Sequence, residues 1–94
     1  MEFLVMSVRR SDAFTPDEFA AAGPAGGARV RELHGQGVIR RIWHRADSIG
    51  ACFLLESSDA EAAAAAVASL PMARDGMSDF TVVALVLYRG FSAG

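Results

Sequence analysis

The chain has 94 residues, a net charge of −2, 52% apolar residues and one cysteine, Cys52. This length is the natural size of one domain, the apolar content excludes a disordered chain, and no apolar run reaches the roughly 18 residues of a membrane span. All nine cations are arginines, and they lack the basic stripe of a nucleic-acid binder.

A lone cysteine cannot close an internal disulfide. The chain opens on the strand-like run Phe3-Leu4-Val5-Met6, without a basic leader and cleavage site. A cytoplasmic location is the expectation. Arginine without lysine, together with abundant alanine and glycine, fits the coding bias of a GC-rich bacterial genome.

The first predicted element is a strand over Glu2 to Val8. A loop over Ser11 to Phe14 leads to a strong helix start. Thr15 can cap, Pro16 suits the first helical position, and Glu18 completes a Thr-x-x-Glu capping box. The helix is expected to run toward Gln36 and to end at Gly35 and Gly37. Gly23-Pro24 and Gly26-Gly27 lie inside it and predict a kink or break, with a firmer half from Ala28 to His34.

Val38 to Arg45 reads as a strand, Ala46 to Gly50 as a turn and Ala51 to Glu56 as its hairpin partner. Ser58-x-x-Glu61 forms a second capping box before an alanine-rich helix over Ala60 to Ser69. Leu70-Pro71 ends that helix. A loop over Met72 to Ser78 precedes a final strand over Phe80 to Tyr88, and a loose tail over Arg89 to Gly94 follows. The order β-α-β-β-α-β is the split βαβ plan of a ferredoxin-like α+β domain, with both helices on one face of an antiparallel sheet.

Strands with one wet face alternate in polarity, whereas Phe80 to Leu87 is apolar at nearly every position. Leu4-Val5-Met6 and Ala51 to Leu55 share this two-sided character. Two helices cover one face only, so a second copy of the chain is the expected cover for the other. The stripe Ala62, Ala65, Ala66 and Ser69 brings little volume to the sheet and leaves room for an internal cavity. Met72 and Met77 are candidate walls for it.

The segments Met1-Glu2-Phe3-Leu4-Val5, Gly37-Val38-Ile39-Arg40-Arg41-Ile42-Trp43, Glu56-Ser57-Ser58-Asp59-Ala60-Glu61, Ser69-Leu70-Pro71-Met72 and Phe80-Thr81-Val82-Val83-Ala84-Leu85 arrive in an order and spacing that resembles the muconolactone isomerase-like family of dimeric α+β barrels. The resemblance covers about residues 1 to 88. It implies a homodimer or higher homo-oligomer, a small-molecule pocket between helices and sheet, and no metal or organic cofactor. The sequence departs from that family at His44, where an arginine is usual, and over Ala73-Arg74-Asp75-Gly76, where the family is aromatic-rich. Both departures point away from muconolactone itself as the substrate.

No nucleophile elbow, phosphate loop, dinucleotide fingerprint or metal-ligand spacing is present. The densest polar cluster is Arg40, Arg41, His44, Arg45, Asp47 and Ser48. Strand alternation places Arg40, Ile42 and His44 on one face and Arg41, Trp43 and Arg45 on the other. Histidine takes and returns protons near neutral pH, which makes His44 the candidate proton carrier. Asp47 is its candidate partner, and Arg41 or Arg45 the candidate holder of a substrate anion. Trp43 and Tyr88 are candidate substrate contacts, and Ser7 and Arg9 can point polar groups into a cavity.

Each has a plainer reading. His44 and Asp47 are ordinary strand-end and turn residues, Trp43 suits a core or dimer interface, and His34 complements a helix dipole. The function expected is a cofactor-independent isomerase or cyclase acting by proton transfer on a small aromatic or polyketide-like metabolite, in natural-product biosynthesis. The alternatives are a cofactor-free oxygenase and a non-catalytic small-molecule-binding dimer.

Overall fold

The computed structural model describes residues 1–91. Strand β1 spans Glu2–Arg9, helix α1 Pro16–Gly35, β2 Ile39–His44, β3 Ala51–Glu56, α2 Ala60–Ala68, α3 Pro71–Arg74 and β4 Ser78–Ala84. The four strands form one antiparallel sheet in the order β2-β3-β1-β4. That is the ferredoxin-like arrangement, with β1 central and the helices on one face. Part of the loose tail expected from Arg89 onward, Ser92 to Gly94, lies outside the described residues, and Arg89–Phe91 form a single 3-10 turn.

Side-chain alternation sorts the sheet into two faces. Phe3, Val5, Phe53, Leu55 and Ile39 point toward the helices and are almost fully buried. Leu33 of α1, Ala63 and Val67 of α2, and Leu70 close the core over them. Ile39 and Ile42 share this face although three positions separate them. A register shift at Arg40 absorbs the extra residue and keeps both in phase with β3. Arg40 therefore drops out of the alternation, while Ile42 and His44 stay on the helix side.

Helix α1 begins as its sequence dictates. Thr15 Oγ1 accepts from Glu18 N and Glu18 Oε1 accepts from Thr15 N, at 3.2 and 2.9 Å. It ends in a Schellman turn, in which Gly37 N donates to His34 O and Val38 N to Leu33 O. That turn needs the left-handed backbone of Gly37, φ 76°. The expected break at Gly23–Gly27 does not occur: α1 is continuous over 20 residues with Pro24 inside it. Burial of Phe19 and Leu33 at its two ends offsets the local cost.

Four further expectations are corrected. The cap of α2 is Asp59, whose Oδ1 accepts from Ala62 N at 2.8 Å, and not Ser58. The buried stripe of α2 is Ala63 and Val67 with Ala66 beside them, and Ala65 is exposed. The segment after Pro71 opens with the short helix α3 before turning into β4. Strand β4 starts at Ser78 and stops at Ala84, four residues short of Tyr88. Its partner β1 begins at Glu2, which takes the last bond from Leu85 N at 2.9 Å. Beyond that point no strand remains to pair with.

Candidate functional site

A cavity of about 390 Å³ lies between α1 and the helix-facing side of the sheet. Its floor is Ser7, Ile42, His44, Ala51, Phe53 and Phe80, drawn from all four strands. Leu70, Pro71 and Met72 close one side, Ile49 and Gly50 of the β2–β3 loop another. Its roof is Gly23, Gly26, Gly27 and Val30 of α1.

The glycine roof explains why space exists there. Gly23, Gly26 and Gly27 follow the i, i+3, i+4 spacing of one helical face. A Cβ on Gly23 or Gly26 would meet nothing within 4 Å. The residues that read as helix breakers instead remove side-chain volume above the sheet. An expected outcome separates the two roles: Gly26→Ala should stabilise the fold by about 1 kcal/mol through helix propensity, measured by chemical denaturation, whereas Gly26→Leu should fill the cavity and abolish ligand binding.

The polar lining is sparse. Ser7 Oγ accepts from Ala51 N at 3.0 Å, which leaves its own O–H to be donated into the cavity. Ser78 Oγ reaches only the sulfur of Met72, at 3.6 Å, a weak acceptor. His44 stands on the edge strand β2 with its side chain on the cavity side, beside Ala51 in register. Arg9, at the end of β1, lies on the same side, with its guanidinium 4.9 Å from the centre of the Phe19 ring.

The structure separates the other sequence candidates from His44. Arg45 grips Asp47 with two hydrogen bonds, Nε to Oδ1 at 2.9 Å and Nη2 to Oδ2 at 2.7 Å. Asp47 is thus held by Arg45 and not by His44, and the guanidinium keeps its carboxyl below the usual carboxylate range. Arg45 Nη1 also donates to Ser7 O at 3.3 Å. The pair braces the β2–β3 turn against β1 and does not reach the cavity wall. Arg41 and Trp43 point to the opposite face of the sheet, with the guanidinium stacked 5.0 Å from the indole. Tyr88 lies past the end of β4, 71% exposed and edge-on to Phe91. Met72 lines the cavity, and Met77 is buried outside its lining.

Among the described residues no three His, Cys, Asp or Glu side chains gather in a metal-binding arrangement. No helix of the described residues is long and apolar enough to cross a membrane. A second hollow, at the other end of the sheet, is lined by Met1, Glu2, Arg40 and Glu56. There the terminal ammonium pairs with Glu56 Oε1 at 2.8 Å and lowers the Glu56 pKa.

The fold and its helix–sheet cavity define a ferredoxin-like α+β protein with room for one small molecule. Residues 1–89 match the family model of muconolactone delta-isomerase, and the chain belongs to that family. The solved structure of a muconolactone isomerase superposes with a TM-score of 0.79 at 18% identity, over 100% of this chain and 96% of that one. The structure of 5-chloro-2-hydroxyhydroquinone dehydrochlorinase from Burkholderia phenoliruptrix AC1100, in complex with 2,5-dihydroxybenzoquinone, superposes with a TM-score of 0.69 at 15% identity, over 96% of this chain and 98% of that one. No curated protein sequence matches the chain.

Proposed function

We propose that the protein is a cofactor-independent isomerase or cyclase that transfers a proton on a small, flat ring compound bound beneath the glycine roof. One observation carries this reading. His44, a side chain able to accept and return a proton, stands in the wall of a mostly apolar cavity that is lined by no carboxylate among the described residues. In the reaction the imidazole takes a proton from a carbon next to a carbonyl. The electron pair of the broken C–H bond moves into the ring system as an enolate. The imidazolium then returns the proton at a new carbon or at oxygen, so no redox partner is consumed. The Ser7 hydroxyl is placed to donate to the developing enolate oxygen. Family membership supports the reading, as does the ring chemistry of the two similar proteins, a lactone in the name of one and 2,5-dihydroxybenzoquinone in the complex of the other.

The test is exchange of substrate carbon-bound hydrogen in D2O. Candidate lactones, hydroxyquinones and aromatic β-keto compounds are incubated with protein and followed by proton NMR. Exchange or double-bond migration with wild type, absent with Gly26→Leu, supports the reading. No exchange with any compound that binds the cavity overturns it.

A homodimer completes the proposal. On the sheet face without helices, Leu4, Met6, Cys52 and Leu54 are half-buried. Trp43 and Val83 on the same face remain 42% and 40% exposed. A second copy packed sheet to sheet would cover this layer and keep both cavities on the outside. Trp43→Glu should then weaken association by about 2 kcal/mol or more, roughly 30-fold. Light scattering behind size exclusion should show the wild type as a dimer at concentrations where the variant is a monomer. A monomeric wild type would refute the dimer.

A further inference from the structure

The cavity wall holds one permanent charge, Arg9 at its exposed rim, and no ion pair among the described residues neutralises it. Ion pairs among the described residues are Met1–Glu56, Arg29–Glu32, Arg45–Asp47 and Arg74–Asp75, and none involves Arg9. The Arg9 guanidinium rests on the Phe19 ring, which orients it through a cation–π contact but accepts none of its five N–H groups. Among the described residues no carboxylate lines the cavity. Arg9 pairs in register with Ser78 on β4, whose hydroxyl is spent on a sulfur 3.6 Å away and can turn to a better acceptor.

Arg9 and His44 also stand a useful distance apart. His44, Ala51 and Ser7 form one row across β2, β3 and β1, and Arg9 is two residues farther along β1. Two strand spacings across and two residues along place their backbones roughly 12 Å apart. Both side chains stand on the helix-facing side of the sheet, and one or two fused rings would span the gap between them.

We infer that Arg9 is the specificity-determining residue of this cavity. Its planar fork, with Ser78 beside it, holds an anionic oxygen group on a flat ring substrate, while the opposite end of the ring meets His44. The substrate class is therefore a ring compound bearing a carboxylate or an acidic enol. A guanidinium fork matches two oxygens in one plane, which a lysine does not. Arg41 and Arg45 do not compete for the role, because one faces the other side of the sheet and the other is held by Asp47.

Arg9 can play this part only if the cavity is the substrate site, and the experiment separates the two. The probes are 2-naphthoate and its neutral, nearly isosteric counterpart 2-acetylnaphthalene, titrated by calorimetry into wild type, Arg9→Gln, Arg9→Lys and Gly26→Leu. Wild type should prefer the carboxylate by about tenfold, the scale of one hydrogen-bonded charge. Arg9→Gln should bring that preference within about twofold and leave the neutral probe unchanged, and Arg9→Lys should restore part of it. Equal binding of both probes to wild type, or a preference that survives Arg9→Gln, overturns the Arg9 assignment while loss of both probes in Gly26→Leu leaves the cavity standing. Unchanged binding in Gly26→Leu, or no binding of either probe to wild type at millimolar concentration, overturns the cavity and Arg9 together.

Discussion

Turnover by His44→Ala is expected to fall by about 10²- to 10⁴-fold, the usual contribution of a positioned general base. The fold should be untouched. His44 is exposed at the end of edge strand β2, it donates no side-chain hydrogen bond among the described residues, and its backbone pairing with Ala51 does not need the ring. Exposed substitutions of this kind change stability by about 0.5 kcal/mol or less. A circular-dichroism melt matching wild type, beside lost turnover in the proton-exchange assay, is the expected pair of results. Affinity for a non-reacting ring ligand should fall little, because the roof glycines and Phe53 stay in place. His44→Gln keeps a polar group of similar reach but cannot carry a proton at neutral pH, so it should be as inactive as the alanine variant. Full activity in either variant would assign the chemistry elsewhere. Asp47→Ala serves as the contrast. Asp47 touches Arg45 and lies off the cavity wall, so its loss acts through the turn that positions His44 and should lower activity less than loss of the imidazole.

The order of elements was legible because most boundaries have a local cause. Thr15 and Glu18 start α1, and Gly37 stops it, through contacts within a few residues. Where boundaries depend on distant partners, the sequence misleads. Leu85 to Tyr88 continue the apolar run of β4, yet the strand ends where its neighbour β1 ends. Ser58 and Asp59 are equally good caps, and only the packing of Ala63 and Val67 on the core selects the second. The site divides in the same way. Alternation along β2 was enough to put His44 and Trp43 on opposite faces. The partner of Asp47 was not readable, because Arg45 at the start of the turn reaches it more directly than the ring of His44 does. The glycine roof was misread for a different reason. Local propensity scores Gly23, Gly26 and Gly27 as breaks, a cost of about 1 kcal/mol each. The i, i+3, i+4 spacing was the available signal, and its meaning appears only when the sheet stands opposite.

Gly50→Ala is expected to be the most damaging single-methyl change in the chain. A Cβ at position 50 would overlap the carbonyl oxygen of Ser7 and lie 2.7 Å from its carbon. Both atoms are backbone of the central strand β1, so no flexible side chain can move aside. The turn must retreat, and it is tied down at several points. Arg9 N donates to Ile49 O at 2.8 Å, Arg45 N donates to Gly50 O at 2.9 Å, and Arg45 Nη1 donates to the same Ser7 oxygen at 3.3 Å. Losing two or three such bonds at about 1 kcal/mol each puts the destabilisation near 3 kcal/mol. For a domain of this size that lowers the melting temperature by roughly 15 °C. Scanning calorimetry of the purified variant measures it, and a midpoint within two degrees of wild type (about 0.4 kcal/mol) would show that the turn yields freely. The same retreat would move Ile49, Gly50 and Ala51, three framing positions of the cavity. Residual folded protein should therefore bind ring ligands poorly at temperatures well below its melt. Loss of binding that precedes loss of fold would tie the close approach at Gly50 to the shape of the site as well as to stability.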